Sequence, residues 1–327
     1  MTVRRALIIG PSNIGDAILA SDVIAAVRRR YPAAHLTLVV GERAKRLFAD
    51  DPRIQTLVDA DAFSSPLGVL RLAVALWRYR PQVLVDLRHT LYPLLLKPLT
   101  AWRYLLASPP RGMTHRRERH LWELHRHAPA AAQAPGPEDA PLWFSPRDAA
   151  HVDALWSRWQ LRDDRPLIVI SPGARSHIKR WSAEGFARVA DRLMTEAGAQ
   201  VVFVGEPDEE PIVDDILGLM RQRAVSAVGL TTIRQSGALM RRARLVITND
   251  SASLHLASAL RVPTVAIFGP TDERKYGPTA PAHRTVRRRL FCAPCERALC
   301  RFNHECMRFI TPEEVVRAAT ELLQAHD

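Results

Sequence analysis

Residues 245–278 read LVITNDSASLHLASALRVPTVAIFGPTDERKYGP. Leu245 to Thr248 are apolar and β-branched, which predicts a short buried strand. Asn249 to Ser253 are small and polar and turn the chain. Leu254 to Leu260 carry apolar residues at helical spacing, and Thr264 to Phe268 predict a second strand that ends in a Gly-Pro-Thr-Asp loop. A strand–helix–strand unit of this kind belongs to a parallel α/β sheet, and such sheets bind ligands beyond the carboxyl ends of their strands. Free N–H groups at a helix N-terminus attract anions. The small residues Ser251, Ala252 and Ser253 would let a pyrophosphate reach the backbone. His255 falls in the first helical turn, where a structural and a functional role are equally open. Asp250 would repel a phosphate, so it reads as a loop organiser or as a group facing hydroxyls.

The same grammar extends outward in both directions. Ala6 to Ile9 predict a first strand, followed by the loop Gly10 to Asp16, a helix over 16–30 and a strand over 35–40. Further strands are expected at 54–58 and 83–86, with a helix over 67–79 between them. Residues 128–142 are rich in Ala and Pro, lack periodicity and read as a linker. Beyond it, strands are expected at 166–170, 200–204 and 224–228, and helices at 183–196, 209–223 and 232–243. Thr311, Pro312 and Glu314 signal a capped final helix to Ala325. The fold class is therefore α/β, with two Rossmann-like halves, residues 1–145 and 146–327, and a cleft expected between them.

The chain has 327 residues, and 46 Lys and Arg against 34 Asp and Glu give a net charge of +12. That balance favours anionic partners. It would also suit nucleic acid, but no basic motif interleaved with aromatics supports that partner. No run reaches the ~18 apolar residues of a membrane-spanning helix. The N-terminus lacks the apolar region and cleavage site of a signal peptide, so a cytoplasmic protein is expected. Four cysteines at spacing Cys-x2-Cys-x4-Cys-x5-Cys, Cys292, Cys295, Cys300 and Cys306, allow a structural zinc or iron site, free thiols or disulfides.

Other candidates lie in loops. Asp16, near a helix start, reads as a structural cap or as a general base. Residues 171–181, SPGARSHIKRW, place Ser171, Gly173, Arg175, Lys179 and Arg180 after a strand, where cations balance a diphosphate or simply face water. Trp181 reads as the packing anchor of that loop. Residues 111–127 are a dense Arg/His cluster, either a solvated face or a contact for phosphates.

Three segments taken together resemble glycosyltransferase family 9, the bacterial ADP-heptose:lipopolysaccharide heptosyltransferases. They are LIIGPSNIGDAILASDVIAAVRRRYPAAHLTLVV, then SPGARSHIKRWSAEGFARVADRL with VVFVGEPDE, and the stretch quoted first. The tail CAPCERALCRFNHECMRFITPEEV resembles a Cys-bearing tail of many members, and residues 100–160 are the least family-like. NDSASLHLA and DLRHTLYPLLL look more like the second-heptose branch; Ser253 is a departure from many relatives.

The resemblance implies a GT-B fold with an acceptor-binding N-terminal and a donor-binding C-terminal domain. It implies inverting transfer that needs no metal or other cofactor. Asp16 resembles the family's base, and Lys179 its Lys shortly before a Trp. The implied donor site comprises Ser171, Gly173, Arg175, Glu206, Asn249, Asp250, Ser251, Ala252, His255, Gly269 and Thr271. The implied acceptor site comprises Ser12, Asn13, Gly15, Arg88, Arg116, Arg117 and Arg119. The partners would be ADP-heptose, the anionic lipopolysaccharide core and the inner-membrane surface of a Gram-negative bacterium. A family member with another nucleotide sugar or acceptor, and a catalytically silent GT-B binding protein, are the competing readings.

Overall fold

The strand Arg5–Ile9 (β1) shows why the first half folds as it does: Ala6 to Ile9 are at most 1% exposed, as a strand covered on both faces must be. The computed structural model describes residues 3–97, 108–131 and 141–325. The chain divides into two compact units, Met1–Trp143 and Phe144–Asp327.

In the first unit β1 leads into α1 (Ile14–Leu19) and α2 (Ser21–Arg30), then β2 (His35–Val40), α3 (Glu42–Phe48) and β3 (Thr56–Asp59). α4 (Pro66–Tyr79), β4 (Val83–Asp86), α5 (Tyr92–Leu96) and α6 (Arg116–His127) follow. The sheet is parallel, in the order β3-β2-β1-β4. The chain leaves β1 toward β2 on one side and returns to it with β4 on the other. The carboxyl ends of β1 and β4 therefore flank a topological switch point, where open α/β sheets hold ligands.

The single helix expected over 16–30 is two helices. Ser21 Oγ donates to the Ile18 carbonyl at 2.6 Å, so a hydroxyl takes an acceptor that a continuous helix would use. The charge cluster at 111–127 is not solvated throughout: it contains α6, whose His120, Glu123 and Leu124 are buried. Of the linker expected at 128–142, residues 132–140 lie outside the described residues, and Pro129–Ala131 form one 3-10 turn.

The second unit begins with α7 (Pro146–Arg158), which the sequence reading missed although Ser145 and Asp148 form its capping box. Then come β5 (Leu167–Ser171), α8 (Ala183–Glu196), β6 (Gln200–Phe203), α9 (Glu210–Leu219), β7 (Val225–Ser226) and α10 (Ile233–Met240). The opening stretch supplies β8 (Leu245–Asn249), α11 (Ala252–Ala259), β9 (Thr264–Phe268) and α12 (Glu273–Tyr276). β10 (His283–Arg287), α13 (Glu305–Arg308) and α14 (Pro312–Gln324) complete it. This sheet is also parallel, in the order β10-β9-β8-β5-β6-β7. Its switch point lies between β5 and β8. Thr311 caps α14 through the expected box, a device that stabilises a helix by about 1 kcal/mol.

Candidate functional site

At the first switch point, the loop after β1 carries Ser12, Asn13, Gly15 and Asp16. Asn13 holds the N-cap position of α1 without a side-chain cap, and Asp16 sits in the first turn. Ser12 Oγ is buried without a hydrogen-bond partner among the described residues. The Asp16 carboxylate is 24% exposed, and Arg116 Nε lies 3.6 Å from its Oδ1. One residue further along α6, Arg117 pairs with Asp22 on α2. Arg119 donates from Nε to the Met113 carbonyl at 3.0 Å. The structure thus gives all three of these Arg intramolecular partners.

Asp86, which sequence reasoning did not single out, ends β4 and is 2% exposed. It accepts from the amides of Arg88 (2.9 Å) and Thr90 (2.7 Å) and from Thr90 Oγ1 (2.8 Å), which fixes the loop that presents Arg88. An acidic residue closing the apolar run Val83 to Val85 was the available signal.

Behind this loop α6 buries a titratable cluster. Glu123 takes Arg126 Nη1 at 2.9 Å and lies 3.4 Å from His127 Nε2. Burial pushes its carboxyl up to about 7, with Asp86 adding and Arg126 opposing. Burial also pushes His120 and His127 down to about 3, helped by Arg116 and His89 for the first and by Arg126 and His89 for the second.

These shifts predict a pH dependence. The histidines stay neutral when folded and take up protons on unfolding, so both lose stability as pH falls below the unfolded value of about 6.5. Glu123 keeps its proton when folded and so gains stability over the same range. Between about pH 7 and about pH 5 the two histidines lose ~4 kcal/mol and Glu123 offsets ~2 kcal/mol. Glu123→Gln removes the offset, so the net loss should grow from ~2 to ~4 kcal/mol. Urea denaturation at the two pH values measures it; an unchanged difference would refute the assignment.

At the second switch point, three elements converge. Lys179, on the 3-10 turn after β5, places Nζ 2.8 Å from Asp250 Oδ2, beyond β8. The Asp250 side chain is 6% exposed and Lys179 33%. A buried carboxylate needs such a partner, so Asp250 holds the Lys at the strand ends. Ser171 Oγ donates to Ser253 Oγ at 2.9 Å, bridging β5 to α11. Asn249 is fully buried and locks the loop after β5: its Nδ2 donates to the Pro172 carbonyl (2.6 Å) and its Oδ1 accepts from the Trp181 amide (3.2 Å). Asn249 therefore faces protein. Trp181 is 5% exposed, packs edge-on to Phe186 at 5.1 Å and donates Nε1 to the Ile310 carbonyl, as an anchor should.

No side chain caps α11, although Ser251 holds the N-cap position and its Oγ lies 3.2 Å from Thr248 Oγ1. The amides of Ala252 and its successors, with the helix dipole behind them, can hold an anion. His255 is buried in that helix. Thr271, beyond β9, has a buried Oγ1 with no hydrogen-bond partner among the described residues. Arg175 and Glu206 are exposed at the loops after β5 and β6.

Two of the glycines expected at the donor site have packing reasons of their own. A Cβ on Gly173 would stand 1.9 Å from Glu209 Oε1, and one on Gly269 2.4 Å from Met307 Sδ. Gly269 is where the Cys-bearing tail docks: the amides of Cys295 and Glu296 both donate to the Pro270 carbonyl, at 3.0 and 2.9 Å.

Of the three readings left open for the tail, the structure gives the metal site no support. Cys292, Cys295, Cys300 and Cys306 are free thiols that line one cavity of about 420 Å³ with Ile178 and Pro270. Among the described residues no group of three or more His, Cys, Asp or Glu is arranged to hold a metal ion. Burial and the other three thiols push the Cys306 thiol up to about 11. The spacing brings the four thiols into one neighbourhood.

No helix among the described residues is long and apolar enough to cross a membrane.

Comparison with known proteins bears on the whole arrangement. A profile described as glycosyltransferase family 9 (heptosyltransferase) matches residues 114–305, more than half of the chain. Lipooligosaccharide heptosyltransferase 2 of Campylobacter jejuni serotype O:2 is 32% identical over 173 residues, 50% of this chain and 53% of that one. Lipooligosaccharide heptosyltransferase 2 of Haemophilus influenzae is 25% identical across 97% of this chain and 99% of its own length. Among solved structures, E. coli ADP-heptose lps heptosyltransferase II superposes with a TM-score of 0.75 over 98% of this chain and 99% of that one, at 22% identity. That likeness establishes the GT-B α/β fold. The chain belongs to glycosyltransferase family 9 and is a glycosyltransferase.

Proposed function

We propose that this enzyme moves a heptose from ADP-heptose to the lipopolysaccharide inner core, with inversion at the anomeric carbon and without a metal ion. The observation that carries the reading is the second switch point, where Lys179 is held by buried Asp250 beside an uncapped helix start. A cation and open amides are what a departing diphosphate requires. The names of the relatives supply the sugar and the acceptor class.

In this reading the acceptor hydroxyl oxygen bonds to the anomeric carbon as the carbon–oxygen bond to the diphosphate breaks. Asp16 takes the hydroxyl proton, and the electron pair leaves with ADP. Lys179, the first amides of α11 and the hydroxyls of Ser251 and Thr271 take up the diphosphate charge. Residues 1–145 hold the acceptor through Ser12, Asn13, Gly15 and Arg88; residues 146–327 hold the donor. The protein works in the cytoplasm, at the inner face of the inner membrane.

A thermal-shift series with ADP-, UDP- and GDP-sugars tests the donor. ADP-heptose at ~100 times its dissociation constant should stabilise the protein by about 2.7 kcal/mol, a rise of several degrees in Tm. A larger shift with a UDP- or GDP-sugar would replace the donor. No shift with any of them would favour a binding protein without transfer activity.

A further inference from the structure

α4 breaks the rule for a surface helix. It buries Gly68, Leu72, Ala73 and Leu76, and Leu72 and Leu76 pack on the sheet of the first unit. Its outer face is apolar as well: Leu67 is 57% exposed, Leu70 59% and Trp77 55%, with Val69 and Val74 beside them. A helix apolar all round belongs in a core or in contact with lipid. Leu91, Leu94 and Leu95, at and beside the neighbouring α5, extend the patch. Eight of the fourteen large apolar side chains that stand exposed among the described residues lie in these two places.

Charge separates a lipid from a protein partner here. Between Ser64 and Lys97 the only acidic residue is Asp86, and it is buried. The same span carries Arg71, Arg78, Arg80, Arg88 and Lys97. Arg71, Arg78 and Arg80 have no carboxylate partner among the described residues. A second copy of this face would bring like charges together, whereas anionic headgroups complement them. Trp77 is the side chain that favours the headgroup level of a bilayer. With 14 residues α4 is about 21 Å long, too short for the ~30 Å hydrocarbon core, so it would lie in the interface.

We propose that the outer face of α4, with the exposed leucines around α5 and the cations Arg71, Arg78 and Arg80, docks the enzyme on an anionic lipid bilayer. The proposal deepens the reading above, in which the acceptor is a glycolipid, and rests on it. Docking would restrict the search for that acceptor to the membrane plane.

Co-sedimentation of the full chain with phosphatidylethanolamine/phosphatidylglycerol vesicles, against phosphatidylcholine vesicles, tests it. Wild type should bind the anionic vesicles and lose them at high salt. Arg71→Gln with Arg78→Gln should weaken partition about 30-fold, and Leu67→Glu with Leu70→Glu should abolish it. Both pairs are exposed, so Tm and the ADP-heptose thermal shift should stay at wild-type values. Equal binding to both vesicle types, or wild-type partition by either variant, overturns the proposal. So does a dimer in sedimentation that Leu67→Glu with Leu70→Glu converts to monomer. Wild type that fails to bind the anionic vesicles but keeps its ADP-heptose shift sinks the docking face alone; wild type that binds them without that shift sinks the donor reading alone.

Discussion

Asp16→Asn is expected to lower kcat for transfer by about 10²- to 10⁴-fold, the range of a removed general base. The amide keeps the shape of the carboxylate but cannot accept the acceptor's proton. It also loses the pairing with Arg116. At 3.6 Å, with side chains 24% and 37% exposed, that pair is worth at most about 1 kcal/mol, so folding should be almost unaffected. Donor affinity, measured by calorimetry with ADP-heptose, should stay within about threefold, because Asp16 lies in the first unit and the diphosphate-binding elements in the second. A kcat near wild type would remove Asp16 from the base's role. Loss of donor affinity in step with kcat would make it a binding residue instead.

Lys179→Met is expected to lower kcat by about 10²- to 10³-fold, the cost of removing one preorganised group that stabilises the leaving oxyanion. The change has a second effect. It leaves Asp250 buried without its cation, which should destabilise the second unit by about 1–3 kcal/mol, discounted because Lys179 is a third exposed. The two effects separate in a double variant. Lys179→Met with Asp250→Asn removes the buried charge, so stability should recover while kcat stays low. Recovery of both would mean that Lys179 acts only by neutralising Asp250, and the leaving-group role would fall.

Much of the fold was legible because buried parallel strands write continuous apolar runs. Val83–Asp86, His35–Val40 and Thr264–Phe268 have the bounds that the sequence indicated. α6 was not legible, because its pattern mixes Arg and His with apolar residues and its core-facing side includes Glu123 and His120. Periodicity reads apolar residues as buried and charged ones as wet. A charged helix face that packs against carboxylates escapes that rule. The same limit hid β10, whose residues His283 to Arg287 carry three cationic or titratable side chains. The cysteine spacing left three readings open, because spacing counts bonds along the chain whereas ligation depends on geometry in space.

By itself the sequence determined the α/β class, the loops at the strand ends and, through three separated segments, the family. Those features are local: each is written in about ten to thirty adjacent residues whose periodicity and turn chemistry do not depend on the rest of the chain. Tertiary structure alone decided which residues share a site. Lys179 and Asp250 are 71 positions apart and meet at 2.8 Å because β5 and β8 are neighbours in the sheet. Asp16 meets Arg116, 100 positions away, because α6 packs across the first unit. Asn249, 68 positions from Trp181, bonds its amide because the loops after β5 and β8 lie side by side, so a buried amide finds its partners there. Strand order is a property of the whole sheet, so no single stretch, including residues 245–278, could have announced those partners.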